Sequence, residues 1–395
     1  MTEPADFLLT TCQVGAERAL KAEFARRWPE LRPAYARPGF VTFKAPLGGL
    51  RLDEYANSIF ARACAVSLGK VTGDTPSHVG HAARVPDGHA SRVSHEVTSH
   101  ADAPLGDAAN ESDESLGDSS RLGETRPRAA DVWALFGDRP ATGLHVWHRD
   151  LHAPGDHGFE PGLVPEDAAI ARAIREARQS AALETWVHPG QFVLDCVIVE
   201  PHEWWVGYHQ AGPPHTCWPG GFCGARLPPH AVSRAYLKME EAICWSQLPL
   251  QPGQRCAELG SAPGGAAQAL LDRGLTVIGI DPAEMHPAVL AHPNFTHLRK
   301  RGDDVRRRDF RKVRWLFSDM NVAPQTMLDT VEGIVTHAEV NIRGLLLTLK
   351  LLDWSLAEHV PEYLFRIRTW GYKDLHARQL QHNRQEICVA ALRAG

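Results

Sequence analysis

The sequence predicts an α/β protein: a doubly wound, mostly parallel sheet in the C-terminal part, preceded by an α+β region. Three observations lead there. From residue 233 onward, helical segments alternate with short apolar runs such as RCAEL, TVIGID, VRWLFSD, GLLLTLK and EICVAAL. Short apolar strands separated by helices are the mark of parallel strands covered on both faces. The chain has 395 residues, more than one ordinary core accommodates. Residues 74–130 contain no Phe, Trp or Tyr, which breaks the N-terminal part in two.

Taken in order, residues 7–11 (FLLTT) read as a strand and 15–28 as an amphipathic helix, with Leu20, Phe24 and Trp28 at spacing four on its apolar face. A strand over 40–43 follows the turn signal Arg37-Pro38-Gly39, and 59–68 is a further apolar segment. Residues 1–73 thus form the first α+β part. Residues 74–131 are too polar to offset the entropy of ordering and are expected to be a disordered insertion. The histidines at 78, 81, 89, 95 and 100 have irregular spacing and read as solvated. Beyond it, 143–148 alternates like a strand, 165–185 is helical, and 191–208 holds two strands around Pro201. The Pro- and Gly-rich stretch 211–229 reads as a linker. Residues 132–224 therefore complete the first region, and 225–395 form the C-terminal domain.

Hydrophobic residues make up 44% and charged residues 23%, as in soluble globular proteins. No run approaches the ~20 apolar residues of a membrane helix, and MTEPADFLLTT lacks the pattern of a secretory leader. The eight cysteines contain no CxxC pair, which suits reduced thiols in the cytoplasm better than disulfides or a zinc site, so no metal is expected. The net charge of −5 excludes a uniformly basic RNA-coating protein. One segment departs from the rest: RKRGDDVRRRDFRKVR (299–314) carries nine Lys or Arg against three Asp.

The segment 257–265, AELGSAPGG, places a strand-end carboxylate, Glu258, before a Gly-rich turn and a helix. Such a turn lets the backbone approach a ligand at the carboxyl edge of the sheet. The spacing of Gly260, Gly264 and Gly265 is not that of a dinucleotide fingerprint, and no Gly-Lys-Ser/Thr ending marks a phosphate loop. Asp281 ends the next strand, where a carboxylate accepts ribose hydroxyls; the same residue before Pro282 also suits a helix cap. Lys350 ends the apolar run GLLLTLK, Asp319 ends WLFSD, Glu386 opens EICVAAL, and Lys238 lies on the helix before the cofactor strand.

ELGSAPGG resembles the cofactor motif of FtsJ-type RNA 2′-O-methyltransferases, approximately [DE]-L-G-x-x-P-G-G. Lys238, Asp319, Lys350 and Glu386 match that family's Lys–Asp–Lys–Glu tetrad in order, within SRAxxKxEE and [ST]DM contexts. Where the family usually carries an aromatic residue after the second glycine, this chain has Ala266. The resemblance implies a Rossmann-like domain binding S-adenosylmethionine through Glu258, Gly260, Ser261, Pro263, Gly264, Gly265, Asp281, Asp303 (with Asp304 beside it) and Asp319. It implies Lys350 as general base or orienter of a ribose hydroxyl, a role that asks for a lysine whose pKa burial or nearby cations lower. Asp319 and Lys238 would hold its charge state, and Glu386 would fix the ribose and the lysines. The preceding region is similar to the THUMP-type RNA-binding part of the branch that methylates large-subunit ribosomal RNA at cytidine, through SIFARACAVSLG, GLHVWHRD and FVLDCVIVEP. The implied partner is RNA, 23S rRNA or its precursor, held by Arg299, Lys300, Arg301, Arg306, Arg307 and Arg308 and by Arg366, Arg368, Lys373, Arg378 and Arg384. Another RNA substrate, or a non-catalytic assembly role on the same fold, stays open at this point.

Overall fold

The computed structural model describes residues 5–72, 118–178 and 182–393, without the side chains of 5, 118–126 and 307. The five histidines and the rest of 74–117, and the side chain of Arg307, therefore lie outside the described residues.

The N-terminal region consists of β1 (Ala5–Thr11), α1 (Glu17–Arg27), β2 (Arg32–Arg37), β3 (Phe40–Pro46), α2 (Leu52–Tyr55), β4 (Ala63–Thr72), α3 (Asp118–Phe136), β5 (Gly143–His148), α4 (Pro165–Ala177), β6 (Phe192–Glu200) and β7 (Glu203–Gln210). They form one seven-stranded sheet, ordered β2-β3-β1-β4-β7-β6-β5. The pairing of β4 with β7 joins the parts on either side of the expected insertion, so 1–73 is not a separate sheet. As the spacing predicts, α1 buries Leu20, Phe24 and, just past its end, Trp28; Phe24 stacks on Phe43 at 4.4 Å between centroids.

Four expectations need correction. Residues 118–131, expected to lack structure, belong to helix α3, whose Ala129, Val132 and Phe136 are buried in the core. Three apolar side chains on one face suffice where a sheet is waiting to receive them. The helix expected over 165–185 ends at Ala177. Strand β2 was not predicted, because the polar sequence RPAYAR sits at the sheet edge and buries little. Finally, 211–229 is a packed segment: Cys217, Pro219, Gly220, Gly221 and Phe222 are buried. Gly220 has φ +60, and a Cβ there would lie 2.6 Å from Trp147 Cγ, so proline and glycine serve close packing as well as turning.

The C-terminal domain runs α5 (Ala235–Ser246), β8 (Arg255–Leu259), α6 (Gly265–Asp272), β9 (Thr276–Ile280), α7 (Pro287–Leu290), β10 (Phe295–Leu298), β11 (Val313–Ser318), α8 (Pro324–Val335), β12 (Gly344–Lys350), α9 (Val360–Thr369), β13 (Tyr372–Arg378) and β14 (Glu386–Arg393). Its sheet is ordered β10-β9-β8-β11-β12-β14-β13. The first five strands are mutually parallel and β14 runs antiparallel to its neighbours, which confirms the doubly wound, mostly parallel sheet. Strand β13 (YKDLHAR) escaped prediction for the same reason as β2, being a polar edge. Alternate side chains feed two cores: Leu259, Leu316 and Leu347 face one side, and Cys256, Trp315, Phe317 and Leu346 the other.

Arg378 at the end of β13 ties the two regions together. It is buried and donates to the carbonyls of Ala56 (3.3 Å), Ser58 (3.3 Å) and Arg62 (2.6 Å). Gln379 N donates to Ile59 O at 2.8 Å, and Arg234 pairs with Glu160. Among the described residues no helix is long and apolar enough to cross a membrane.

Candidate active site

Topology alone brings the predicted residues to one edge. Strands β8, β11 and β12 are parallel and adjacent, so Gly260, Asp319 and Lys350, which follow or end them, emerge side by side. Strand β14 is antiparallel to β12 and places Glu386 directly opposite Lys350. Helix α5 lies over the same edge and supplies Lys238. The four charges meet. Lys350 Nζ lies 2.6 Å from Asp319 Oδ1 and 2.6 Å from Glu386 Oε1. Lys238 Nζ lies 2.7 Å from Glu386 Oε2 and 3.6 Å from Asp319 Oδ2.

Two ammonium and two carboxylate groups in alternation neutralise one another, which lets four charges share a half-buried place. Burial works to lower the Lys350 pKa, but Asp319 and Glu386 outweigh it and raise the value above the ordinary lysine range. The Glu386 carboxyl moves the other way: burial opposes its ionisation, and Lys238 and Lys350 more than compensate. In the protein alone, therefore, Lys350 is a firmly held ammonium. The lowered pKa that a resident lysine base asks for is not a property of the tetrad by itself.

The glycine turn is shaped for backbone approach. Gly260 and Gly264 have φ +78 and +116, and a Cβ on Gly260 would lie 2.9 Å from Asp319 O. Gly265 opens α6 so close to Ser233 that a Cβ would come within 2.2 Å of its Oγ. Pro263 O accepts from His286 N at 3.0 Å, which pins the turn to the segment before α7. Glu258 lies beneath the turn rather than at its surface: it is 1% exposed and accepts from Ser261 Oγ at 2.6 Å. Burial pushes its pKa up to about 8; the Ser261 hydrogen bond opposes the shift, and Asp319 and Asp281 add to it. Asp281 braces the turn from the other side. Its Oδ2 accepts from Ala262 N (3.1 Å) and its Oδ1 from Ala283 N (2.8 Å), so it caps the next turn and remains half-buried at the edge. Asp303 and Asp304 are exposed in a short 3-10 turn after β10.

The basic segment spans the connection from the end of β10 to the start of β11. Arg299, Lys300 and Arg301 follow β10 and stay at the carboxyl edge, near Gly302, whose added Cβ would lie 3.7 Å from Met320 Sδ. The chain then crosses the sheet to start β11 at the opposite edge, with Arg306 and Arg308 exposed along the way. Of the more distant cations, Arg378 is committed to the carbonyls named above, and Arg366 is paired with Asp329 (2.7 Å) and Glu332. Arg368, Lys373 and Arg384 are exposed.

Two supporting residues were missed. Asn383 is buried and its Nδ2 donates to Glu386 Oε2 at 3.2 Å. Glu241, one turn from Lys238 on α5, accepts from the backbone N–H of Gln381 (2.7 Å) and His382 (2.8 Å). Both fix the loop that carries Glu386, and QLQHNRQ gives no pattern that would single either out.

A family model described as FtsJ-like methyltransferase matches residues 231–380, the stretch that carries the turn and the first three tetrad members. A ribosomal RNA large subunit methyltransferase M from Halorhodospira halophila is 37% identical over 186 residues, covering 46% of this chain and 52% of its own length. The protein of the same name from Laribacter hongkongensis is 34% identical over 291 residues, 68% of this chain and 76% of its own. That from Xylella fastidiosa is 33% identical over 182 residues, 44% and 51% respectively. The chain thus spans about half the length of the first and third of these relatives, and three quarters of the second. Among solved structures, TrmN from Thermus thermophilus aligns over 98% of this chain and 99% of its own at 14% identity, with a TM-score of 0.35. On the Laribacter match, which runs through both regions, the chain belongs to the ribosomal RNA large subunit methyltransferase M family.

Proposed function

We propose that the protein transfers a methyl group from S-adenosylmethionine to the 2′-hydroxyl of a ribose in large-subunit ribosomal RNA, the modified residue being a cytidine. The observation that carries this reading is the closed ring of Lys238, Asp319, Lys350 and Glu386 contacts beside a glycine turn at one sheet edge. The relatives' shared name supplies the class of RNA.

The residues present fit such a donor. Gly260, Gly264 and Gly265 leave backbone where any side chain would collide, while Ser261, Pro263 and the half-buried Asp281 and Asp319 line the turn. Asp281 is set at the end of the second strand, where ribose hydroxyls find a carboxylate, and exposed Asp303 follows the third. Glu258 acts from below by holding Ser261. S-adenosylmethionine supplies, when bound, a methyl group on a sulfonium, which is both a good leaving group and a positive charge.

The chain's own work is alignment and proton management. A positively charged donor held by the turn would weaken the hold of Asp319 on Lys350 and so reduce what raises the lysine's pKa. Lys350 would then release its proton to solvent, and its lone pair would take the proton of the ribose hydroxyl as that oxygen bonds the methyl carbon and the carbon–sulfur bond breaks. Glu386 and Lys238 keep its Nζ directed at the sheet edge. The lysines share their carboxylates, so the proton belongs to the coupled group rather than to one residue. Arg299, Lys300 and Arg301 provide phosphate contacts at the same edge, and the N-terminal sheet provides the wider RNA surface.

The direct test is Lys350→Ala. Methyl transfer to ribosomal RNA falls by roughly 10²–10⁴-fold, the usual worth of a positioned acid or base, with donor and RNA binding retained. Transfer at the unaltered rate refutes the assignment.

A further inference from the structure

Three buried side chains converge on adjacent strands of the N-terminal sheet, away from the tetrad. His145 on β5 is in register with Asp195 on β6, and His209 on β7 lies on the same face, two residues beyond Asp195's partner Gly207. Their exposures are 1%, 1% and 7%. Asp195 Oδ2 is 2.6 Å from His209 Nδ1, and Asp195 Oδ1 is 3.8 Å from His145 Nδ1.

Hydrogen bonding at His209 is incomplete without a cation. Its Nε2 lies 2.8 Å from the carbonyl of Thr216. A carbonyl only accepts, so Nε2 carries the hydrogen, and a neutral ring then presents a lone pair at Nδ1. That lone pair faces another acceptor, the Asp195 carboxylate. Either a proton or a metal ion must reconcile them. A proton satisfies only this contact. It leaves Asp195 Oδ1 with no hydrogen-bond partner although it is shielded from solvent, an expensive arrangement. A divalent cation answers both the His209 Nδ1 lone pair and the unpartnered Asp195 Oδ1 at once. One potential ligand atom from each of the three residues lies within 4.8 Å of the others, compared with about 3.3 Å for ligands around a tetrahedral zinc ion, so the 2.6 Å Asp195–His209 contact has to open and the 3.8 Å His145–Asp195 separation to close as the ion enters.

We propose that His145, Asp195 and His209 bind a divalent transition-metal ion of the zinc class. Two imidazoles and a carboxylate are the donor set such an ion takes, and the Thr216 carbonyl orients the His209 ring as backbone acceptors do for metal-bound histidines. The three residues also line a cavity of about 800 Å³ at the junction of the two regions, which leaves a fourth position for water. Bound there, the ion cross-links β5, β6 and β7 and, through Thr216, the segment 211–224 that packs at the junction. The site departs from the expectation of no metal. That expectation rested on cysteine spacing, and these ligands are far apart in sequence and meet only through strand pairing.

The test uses the full-length chain, stripped by dialysis against a chelator and titrated with Zn²⁺ and with Co²⁺. The expected result is one bound equivalent, a higher unfolding midpoint, and a cobalt spectrum with weak visible bands and without the intense thiolate-to-metal absorption that the cysteines would give. His145→Ala and His209→Gln are expected to lose that equivalent. Because either variant can misfold, each is first checked for its wild-type circular dichroism, and a wild type that takes up no metal overturns the proposal whatever the variants do. Absence of uptake by the wild type, uptake with thiolate bands, or folded variants that retain the equivalent would each overturn the proposal.

Discussion

Replacing Glu386 by glutamine separates the two jobs assigned to the tetrad. The side chain is 11% exposed and accepts from Lys350 Nζ (2.6 Å), Lys238 Nζ (2.7 Å) and Asn383 Nδ2 (3.2 Å). Glutamine keeps the volume but turns an amide N–H₂ toward one of the ammonium groups. Hydrogen bonds to charged groups contribute about 1.5–3 kcal/mol each, and breaking a buried pair costs about 3–5 kcal/mol. Asp319 still contacts both lysines, so the lower end applies, about 3 kcal/mol. For a domain of this size that lowers the unfolding midpoint by roughly 6–12 °C. The catalytic effect has a sign of its own. Glu386 is one of the two carboxylates that raise the Lys350 pKa, so its neutralisation makes the ammonium easier to deprotonate. The acid limb of the single-turnover pH profile should move to lower pH, while the plateau rate falls because the lysines are less well held. Single-turnover methyl transfer across pH, with thermal unfolding beside it, measures both. An acid limb that stays in place or moves upward would refute the electrostatic account of Lys350.

Further predictions concern the turn, the junction and the RNA surface. The Glu258 carboxyl, raised in the folded state to about 8, holds its proton more tightly than in the unfolded chain. Its contribution is therefore complete below about pH 4.5 and is lost as pH rises toward 8; Glu258→Gln should flatten the fall of the urea midpoint between pH 5.5 and 8.5, and an equal fall in both proteins would count against the buried acid. Arg378→Met strands the buried carbonyls of Ser58 and Arg62 at about 1–3 kcal/mol each, while Ala56 O keeps His215 Nε2 at 3.0 Å, so calorimetry should show the two regions melting apart, where a single unchanged transition would show that the junction is held elsewhere. Substituting Arg299, Lys300 and Arg301 with alanine should weaken RNA binding and reduce its logarithmic salt slope by about 0.7 for each phosphate no longer neutralised, whereas an unchanged slope would remove these residues from the interface.

The grouping of Lys238, Asp319, Lys350 and Glu386 was legible through the family resemblance, and three of the four sit at ends of apolar strands. Lys350 after GLLLTL and Asp319 after WLFS stand out against their surroundings, and parallel pairing fixes which edge they share. Where structure depends on partners distant in the chain, the sequence was mute. Strands β2 and β13 are polar edges without a periodic pattern of their own, and α3 holds its place through a few side chains buried against a sheet formed elsewhere. The basic run 299–314 illustrates a different limit: charge density along the chain does not show that the chain crosses the sheet midway. Glu258 reads as a ligand contact by position, yet burial makes it a support for Ser261. Asn383 and Glu241 act through a loop whose composition is ordinary.

The position of the transferred methyl group can be read directly. Purified protein with labelled S-adenosylmethionine should be offered ribosomal RNA from a host lacking this gene, beside RNA from the parent strain. Label is expected only in the large-subunit RNA of the deletion strain, recovered in an alkali-resistant dinucleotide whose 5′ nucleoside is 2′-O-methylcytidine. Label on a base, or no transfer to large-subunit RNA by a protein that binds the donor, would contradict the proposed transfer to the ribose hydroxyl.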